Sequence, residues 1–219
     1  MPLAINSTAP DFAAETTEGP ICFHAWLGGA WCVLFSHPKD FTPVCTTELG
    51  MAAKMKGEFD RRGVRLIGLS IDAVDAHTRW SDDIQTAVGE TLNYPLIGDT
   101  DLSIAKLYGM LPADAGDSAA KRTAMDNATA RTVFVIGPDK KIKATLSYPM
   151  TTGRDFNEIL RVIDSLQLTA RHQLATPANW SRGDEVVIVP SVSNEEAALR
   201  FPEGWKSPLP YLRLVQEPG

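Results

Sequence analysis

The sequence predicts an α/β fold: a mixed central sheet flanked by helices on both faces, followed by a small α+β extension. Two observations carry the sheet. Short apolar runs at 31–35, 64–71 and 95–99 alternate with segments of helical apolar spacing, the pattern of strands covered on both sides. The runs 132–136 and 142–148 then flank Gly137-Pro138-Asp139-Lys140-Lys141, which reads as a β-hairpin. A third observation marks the extension. Beyond Leu168 the character changes to short Pro- and Trp-containing segments, so domains are expected over 1–167 and 168–219.

The elements follow in order. Gly19-Pro20 is a turn signal, and Ile21-Cys22-Phe23-His24 after it reads as a short strand. Trp31-Cys32-Val33-Leu34-Phe35 reads as a buried strand. Cys45, Leu49, Ala52, Met55 or Lys56, and Phe59 recur at helical spacing after it. Thr42 followed by Pro43 reads as an N-cap with proline at the first helical position, which puts Cys45 in the first turn. The run 64–71 is a second buried strand, and a helix with Ala76, Trp80, Ile84 and Val88 on one face follows and stops at Gly89. Residues 95–99 give a strand and 102–107 a short helix. The Ala-, Asp- and Gly-rich stretch 110–130 is a long loop, a common seat of function. A last helix is expected over 155–166 with Phe156, Ile159, Leu160 and Ile163 buried, and the extension should hold a strand at 185–189 and a small helix near Glu195.

Composition excludes several classes. The chain has 219 residues, with 21 Lys plus Arg against 27 Asp plus Glu for a net charge of −6, so nucleic acid and anionic membrane are poor partners. There is no apolar run of about eighteen residues to span a membrane and no basic, apolar leader, so a cytoplasmic protein is expected. Three irregularly spaced cysteines argue against a disulfide framework. The four histidines, at 24, 37, 77 and 172, show no metal-ligand spacing, and neither a phosphate loop nor a dinucleotide fingerprint occurs; no metal and no cofactor are expected.

The chemistry is expected where strand meets helix. A free thiol has a pKa of about 8.5, and helix N-termini and neighbouring cations lower it, which makes Cys45 a candidate nucleophile rather than an inert core thiol. Pro38, Thr42 and Cys45 stand as Pro-x-x-x-Thr-x-x-Cys within Phe35-Ser-His-Pro-Lys-Asp-Phe-Thr-Pro-Val-Cys-Thr-Thr-Glu-Leu49. This segment resembles the active site of the peroxiredoxins, and within them the one-cysteine, peroxiredoxin-6-type subfamily.

The resemblance implies a thioredoxin-like fold and a thiol-dependent peroxidase that reduces hydrogen peroxide and organic hydroperoxides, lipid ones included, through a sulfenic acid at Cys45. By the same resemblance Pro38 shields the sulfur, Thr42 bonds near it, and Arg131, in Ala130-Arg131-Thr132-Val133, supplies the cation. Arg154, in Thr151-Thr152-Gly153-Arg154, resembles a second arginine of the subfamily; either arginine could instead be a solvated surface charge. Glu48 either orients Arg131 or favours the helix start, and His37 either bonds near the sulfur or is structural. Many peroxiredoxins carry a resolving cysteine near the C-terminus, but Leu174-Ala175-Thr176-Pro177 has none, and Cys22 and Cys32 read as core thiols. An external thiol reductant of glutathione, thioredoxin or glutaredoxin type is therefore expected, with a homodimer or higher homo-oligomer in which residues 168–219 pack on a partner subunit. Relatives with phospholipase activity use a serine where this chain has Ala30, so His24 and Asp139 have nothing to activate. The alternative to a peroxidase is a redox-sensing chaperone or relay protein that reads Cys45 oxidation.

Overall fold

In the computed structural model, which describes residues 3–111, 114–120, 122–123, 125–127 and 131–218, the chain begins with a two-residue antiparallel ribbon, β1 (Ala13–Ala14) and β2 (Ile21–Cys22). Phe23 and His24 do not extend β2. They open α1 (Phe23–Leu27), because the amides of Phe23 and His24 are taken by the Phe12 carbonyl and the Asp11 carboxylate, and Phe23 and Leu27, four apart, both bury. Cys22 is correspondingly exposed on the ribbon rather than in the core.

The central sheet has five strands: β3 (Trp31–Ser36), β4 (Val64–Ser70), β5 (Leu96–Gly98), β6 (Thr132–Ile136) and β7 (Ile142–Ser147), in the order β5-β4-β3-β6-β7. The first three strands are mutually parallel, while the hairpin joins antiparallel beside β3. Every residue of β6 and all but Trp31 of β3 are buried, as strands covered on both faces must be. One face is filled by Cys32, Leu34, Ile67, Leu69, Phe134 and Ile136 with Phe23 and Leu27 of α1. On the other, Phe35 lies 5.7 Å from the Tyr94 ring and 6.1 Å from that of Phe156.

The helical run after the active-site loop is broken. α2 (Pro43–Lys54) and α3 (Lys56–Arg61) meet at Met55, whose φ of −91° and ψ of 2° lie outside the helix. α4 (Val74–Val88) ends on a left-handed Gly89, and its buried residues are His77, Trp80 and Ile84 rather than the Ala76 and Val88 ends of the expected stripe, which are half-buried. α5 (Ser103–Leu107) matches its expectation; of the expected loop at 110–130, residues 112, 113, 121, 124 and 128–130 lie outside the described residues, and Met125–Asn127 forms a 3-10 turn.

The chain divides into two compact units after Phe156. The boundary falls at the first residue of α6 (Phe156–Arg171), which runs one turn longer than expected and buries Phe156, Ile159, Leu160 and Ile163. β8 (Leu174–Ala175), β9 (Glu185–Ile188), β10 (Lys206–Leu209) and β11 (Leu212–Gln216) form a four-stranded antiparallel sheet over a core of Leu168, Trp180, Val186 and Ile188, and α7 (Asn194–Arg200) is capped by Ser193, which accepts from the Glu196 amide. Pro208 hides β10 from sequence reading. Its missing donor is tolerated because β10 is an edge strand.

The end of β5 is packed hard against the start of α4, where a Cβ on Gly98 would stand 2.8 Å from the Val74 amide nitrogen and 3.0 Å from the Asp72 carbonyl oxygen. Backbone cannot yield there as a side chain would. Gly98→Ala is expected to cost about 1–3 kcal/mol of stability, seen as a lower urea midpoint at unchanged m-value; an unaltered midpoint would show that this contact does not fix α4.

Candidate active site

The loop from Ser36 to Thr42 turns the chain out of β3 and into α2. Phe41 adopts φ +56°, a left-handed conformation uncommon for an aromatic residue, and Thr42 returns to extended backbone at φ −118°. Pro43 follows at the first helical position, so Cys45 is the third residue of α2, beside the unpaired amides of its first turn. Cys45 is 1% exposed. Thr42 stands at the N-cap position but does not cap with its side chain: the hydroxyl donates to the Lys39 carbonyl at 2.9 Å, which leaves the oxygen as an acceptor.

Arg131 reaches Cys45 from the start of β6. Its Nη2 lies 3.7 Å from Sγ and donates to the Met150 carbonyl at 3.0 Å, while Nη1 pairs with Glu48 Oε2. Arg154 grips the same carboxylate: its Nε donates to Oε1 at 3.0 Å, its Nη2 to Oε2 at 2.8 Å, and its backbone amide to Oε1 at 2.7 Å. The remaining nitrogen donates to the Ser36 carbonyl at 2.8 Å, and the guanidinium covers the Phe35 ring at 4.9 Å. Both arginines are buried, so neither is a surface charge. Glu48 is a turn along α2 from Cys45 and orients both cations. Two guanidinium groups against one carboxylate leave a net positive charge facing the sulfur.

The loop is held from behind by His37, which takes its structural alternative, and by groups that sequence reading passed over. Asp40 accepts from His37 Nε2 at 2.7 Å and lies 2.6 Å from His77 Nδ1, and its amide donates to Asp72 at 2.8 Å. Asn127, from the long loop, donates to the Pro38 carbonyl at 2.9 Å. Burial alone would raise the Asp40 carboxyl, but donors from His37 and His77 outweigh it and hold it at about 2. Burial pushes the His37 imidazole down despite the pull of Asp40. The donor atoms of His37, Asp40 and His77 lie within 4.8 Å of one another, a set that could hold a metal and that linear spacing concealed. One signal was present for His77: it falls on the 77, 80, 84 stripe of α4. For Asn127 there was none.

The other cysteines stand apart from this chemistry. Cys32 is buried in the sheet core, where desolvation pushes its thiol up. His24 Nε2 bonds the Ala9 carbonyl at 2.8 Å, and Asp139 pairs with Lys143 at 2.7 Å, so neither is arranged as part of a hydrolytic triad.

Comparison with known proteins places this geometry. The AhpC/TSA family model matches residues 5–145, and the model for the C-terminal domain of 1-Cys peroxiredoxin matches residues 165–206. The chain is 50% identical to peroxiredoxin-6 of Gallus gallus and of Homo sapiens, over 99% of this chain and 98% of each relative. It belongs to the one-cysteine peroxiredoxins. Among solved structures, a yeast mitochondrial 1-Cys peroxiredoxin superposes with a TM-score of 0.91 at 48% identity, covering 98% of this chain and 99% of that one; its thiol-resolving mechanism is described as running through glutathione and thioredoxin systems. A cysteine-to-serine mutant of the peroxiredoxin 6 of Arenicola marina superposes at 0.86 with 46% identity, covering 99% of both chains. As a one-cysteine peroxiredoxin the chain is a thiol-dependent peroxidase, an oxidoreductase of antioxidant type, and its relatives do not favour the chaperone or relay alternative. No helix among the described residues is long and apolar enough to cross a membrane.

Two outcomes follow from the charges. Glu48→Gln leaves two buried guanidinium groups uncompensated and is expected to cost about 3–5 kcal/mol in denaturant unfolding; a loss below about 1 kcal/mol would mean that the cluster is solvated. Asp40 is depressed in the folded state, so its stabilisation is complete above the unfolded carboxyl value and is lost as pH falls through about 2. Between about pH 4 and 2 the wild-type chain should therefore lose roughly 2 kcal/mol more than Asp40→Asn, measured by urea unfolding at each pH. Parallel curves for the two proteins would remove Asp40 from the acid transition.

Proposed function

We propose that Cys45 is the peroxidatic nucleophile and that Arg131 is its electrostatic partner, acting on hydrogen peroxide and organic hydroperoxides, lipid hydroperoxides included. The observation that carries this is the 3.7 Å approach of Arg131 Nη2 to Sγ, with the guanidinium fixed by Glu48. The sulfur attacks the terminal oxygen of the peroxide as a thiolate, the O–O bond breaks, and the alkoxide or hydroxide leaves and takes up a proton. Sulfur is oxidised by two electrons to the sulfenic acid, and the peroxide is reduced to alcohol or water.

Each neighbour has a part. Arg131 Nε is buried and has no acceptor among the described residues, which suits it to a peroxide oxygen, while Nη2 faces the sulfur. Thr42, its hydrogen given to Lys39, offers an oxygen to the hydroperoxide O–H. Pro38 removes a competing donor and limits water at the sulfur. Glu48 and Arg154 fix Arg131, and His37 supports the loop through Asp40.

The sulfenic acid needs a second thiol. Cys32 is sealed in the core and Cys22 is exposed on the N-terminal ribbon, so the reductant is external, a thiol of glutathione, thioredoxin or glutaredoxin type. That thiol attacks the sulfenic sulfur and releases water, and a second thiol cleaves the mixed disulfide. We assign residues 168–219 to homodimerisation, as the resemblance to the one-cysteine peroxiredoxins implies, and the enzyme to the cytoplasm, whose reducing conditions suit three irregularly spaced cysteines.

Stopped-flow tryptophan fluorescence with hydrogen peroxide tests the reading, since Trp80 lies against both His37 and Phe41 of the active-site loop. A fast phase is expected that Cys45→Ser abolishes, with one oxygen gained on Cys45 by intact mass. Arg131→Met should slow that phase by roughly 10²–10³-fold. A slow rate that neither substitution changes would show that the chemistry lies elsewhere.

A further inference from the structure

Behind the loop that joins β3 to α2, the buried Asp40 carboxylate stands between two imidazole rings, and the hydrogens on those rings can be assigned by elimination. His77 Nε2 lies 3.1 Å from the Ile97 carbonyl, which only accepts, so Nε2 carries a hydrogen. If the ring held no other, Nδ1 would turn a bare lone pair toward the Asp40 oxygen 2.6 Å away, two acceptors in contact. A hydrogen must lie on that axis. A hydrogen on this axis and one on Nε2 tie His77 at both ring nitrogens, to Asp40 and to Ile97.

His37 completes the bridge from the other side. Its Nδ1 is buried without a partner among the described residues, so its single hydrogen belongs on Nε2, where Asp40 accepts it at 2.7 Å. A ring that ligated a metal through Nε2 would have to carry that hydrogen on Nδ1, buried with no acceptor. This donor set therefore fits a hydrogen-bonded bridge better than a metal triad. The bridge joins three elements: His37 and Asp40 from the active-site loop, His77 from α4, and Ile97 from β5. Among the described residues Asp40 also meets Ser70, whose hydroxyl lies 3.5 Å away, and Asp72, which accepts the Asp40 amide.

We propose that His77 is a positioning residue for peroxide reduction: by holding Asp40 against α4 and β5, it locks the loop that carries Pro38 and Thr42 into α2 beside Cys45. The proposal rests on Cys45 being the nucleophile. The loop needs such a lock because Phe41 holds it in a left-handed conformation that relaxes when its neighbours release it.

The test compares the full-length protein with Asp40→Asn and Asp40→Ala. In Asp40→Asn the amide nitrogen can donate to His77 Nδ1 while its oxygen still accepts from His37, so the bridge survives without the carboxylate's charge. Cys45 oxidation by hydrogen peroxide, followed by stopped-flow and intact mass, should stay within about threefold of wild type in Asp40→Asn and fall at least about tenfold in Asp40→Ala. If Asp40→Ala does not fold, His77→Gln takes its place, since its amide cannot reach Asp40 and Ile97 together, and a loss of about threefold or more is expected. An Asp40→Ala or His77→Gln rate equal to wild type, or an Asp40→Asn rate as low as Asp40→Ala, overturns the proposal. A wild-type fast phase that survives Cys45→Ser would instead overturn the reading of Cys45, and this proposal with it.

Discussion

One carboxylate holds the active site together. Glu48 compensates two buried guanidinium groups that reach it from 83 and 106 residues away along the chain, and so ties α2 to the start of β6 and to the turn before α6. Removing ions from water is costly, and the arrangement is tolerable because nearly every donor is used: Arg154 spends its amide and three guanidinium nitrogens on Glu48 and Ser36. Arg131 is satisfied on two nitrogens and leaves one buried donor over. An unspent donor is costly in a core and useful at a site where an oxyanion must form.

The helix that carries Cys45 supplies the second part of the field. α2 begins two residues after the left-handed Phe41, and its first-turn amides have no side-chain cap because Thr42 turns its hydroxyl toward Lys39. Uncapped amides keep their partial positive charge for the sulfur. The same loop is pinned at Asp40 and at the Pro38 carbonyl by residues of α4 and of the long loop, so its shape is set from outside rather than by its own sequence. Preorganisation of this kind makes an electrostatic site effective, since little rearrangement remains to be done when charge moves.

The C-terminal unit is stabilised differently. Its core is small, and its buried arginine, Arg213, pairs with no carboxylate among the described residues but donates to Asn194 and to the carbonyls of Val189 and Val192. That stitches the turn between β9 and α7, where backbone acceptors would otherwise be left unpaired.

The sequence by itself determined the sheet, the hairpin and the place of Cys45 in the first turn of a helix, while Arg131 was singled out by resemblance to a family. Period-two and period-3.6 apolar patterns and a proline at the first helical position are local signals, and they survive folding because each element buries the face that its own pattern marks. Tertiary structure decided the rest. That Arg131 and Arg154 are buried and share Glu48, that Cys22 is exposed, that α1 replaces the end of a strand, and that Asp40, His77 and Asn127 brace the loop all depend on contacts between distant segments. Polar residues have no periodic signature that tells a solvated side chain from a buried, paired one. Only the fold brings each charge to its partner, and for buried charges the partner decides both where the side chain can lie and what it can do.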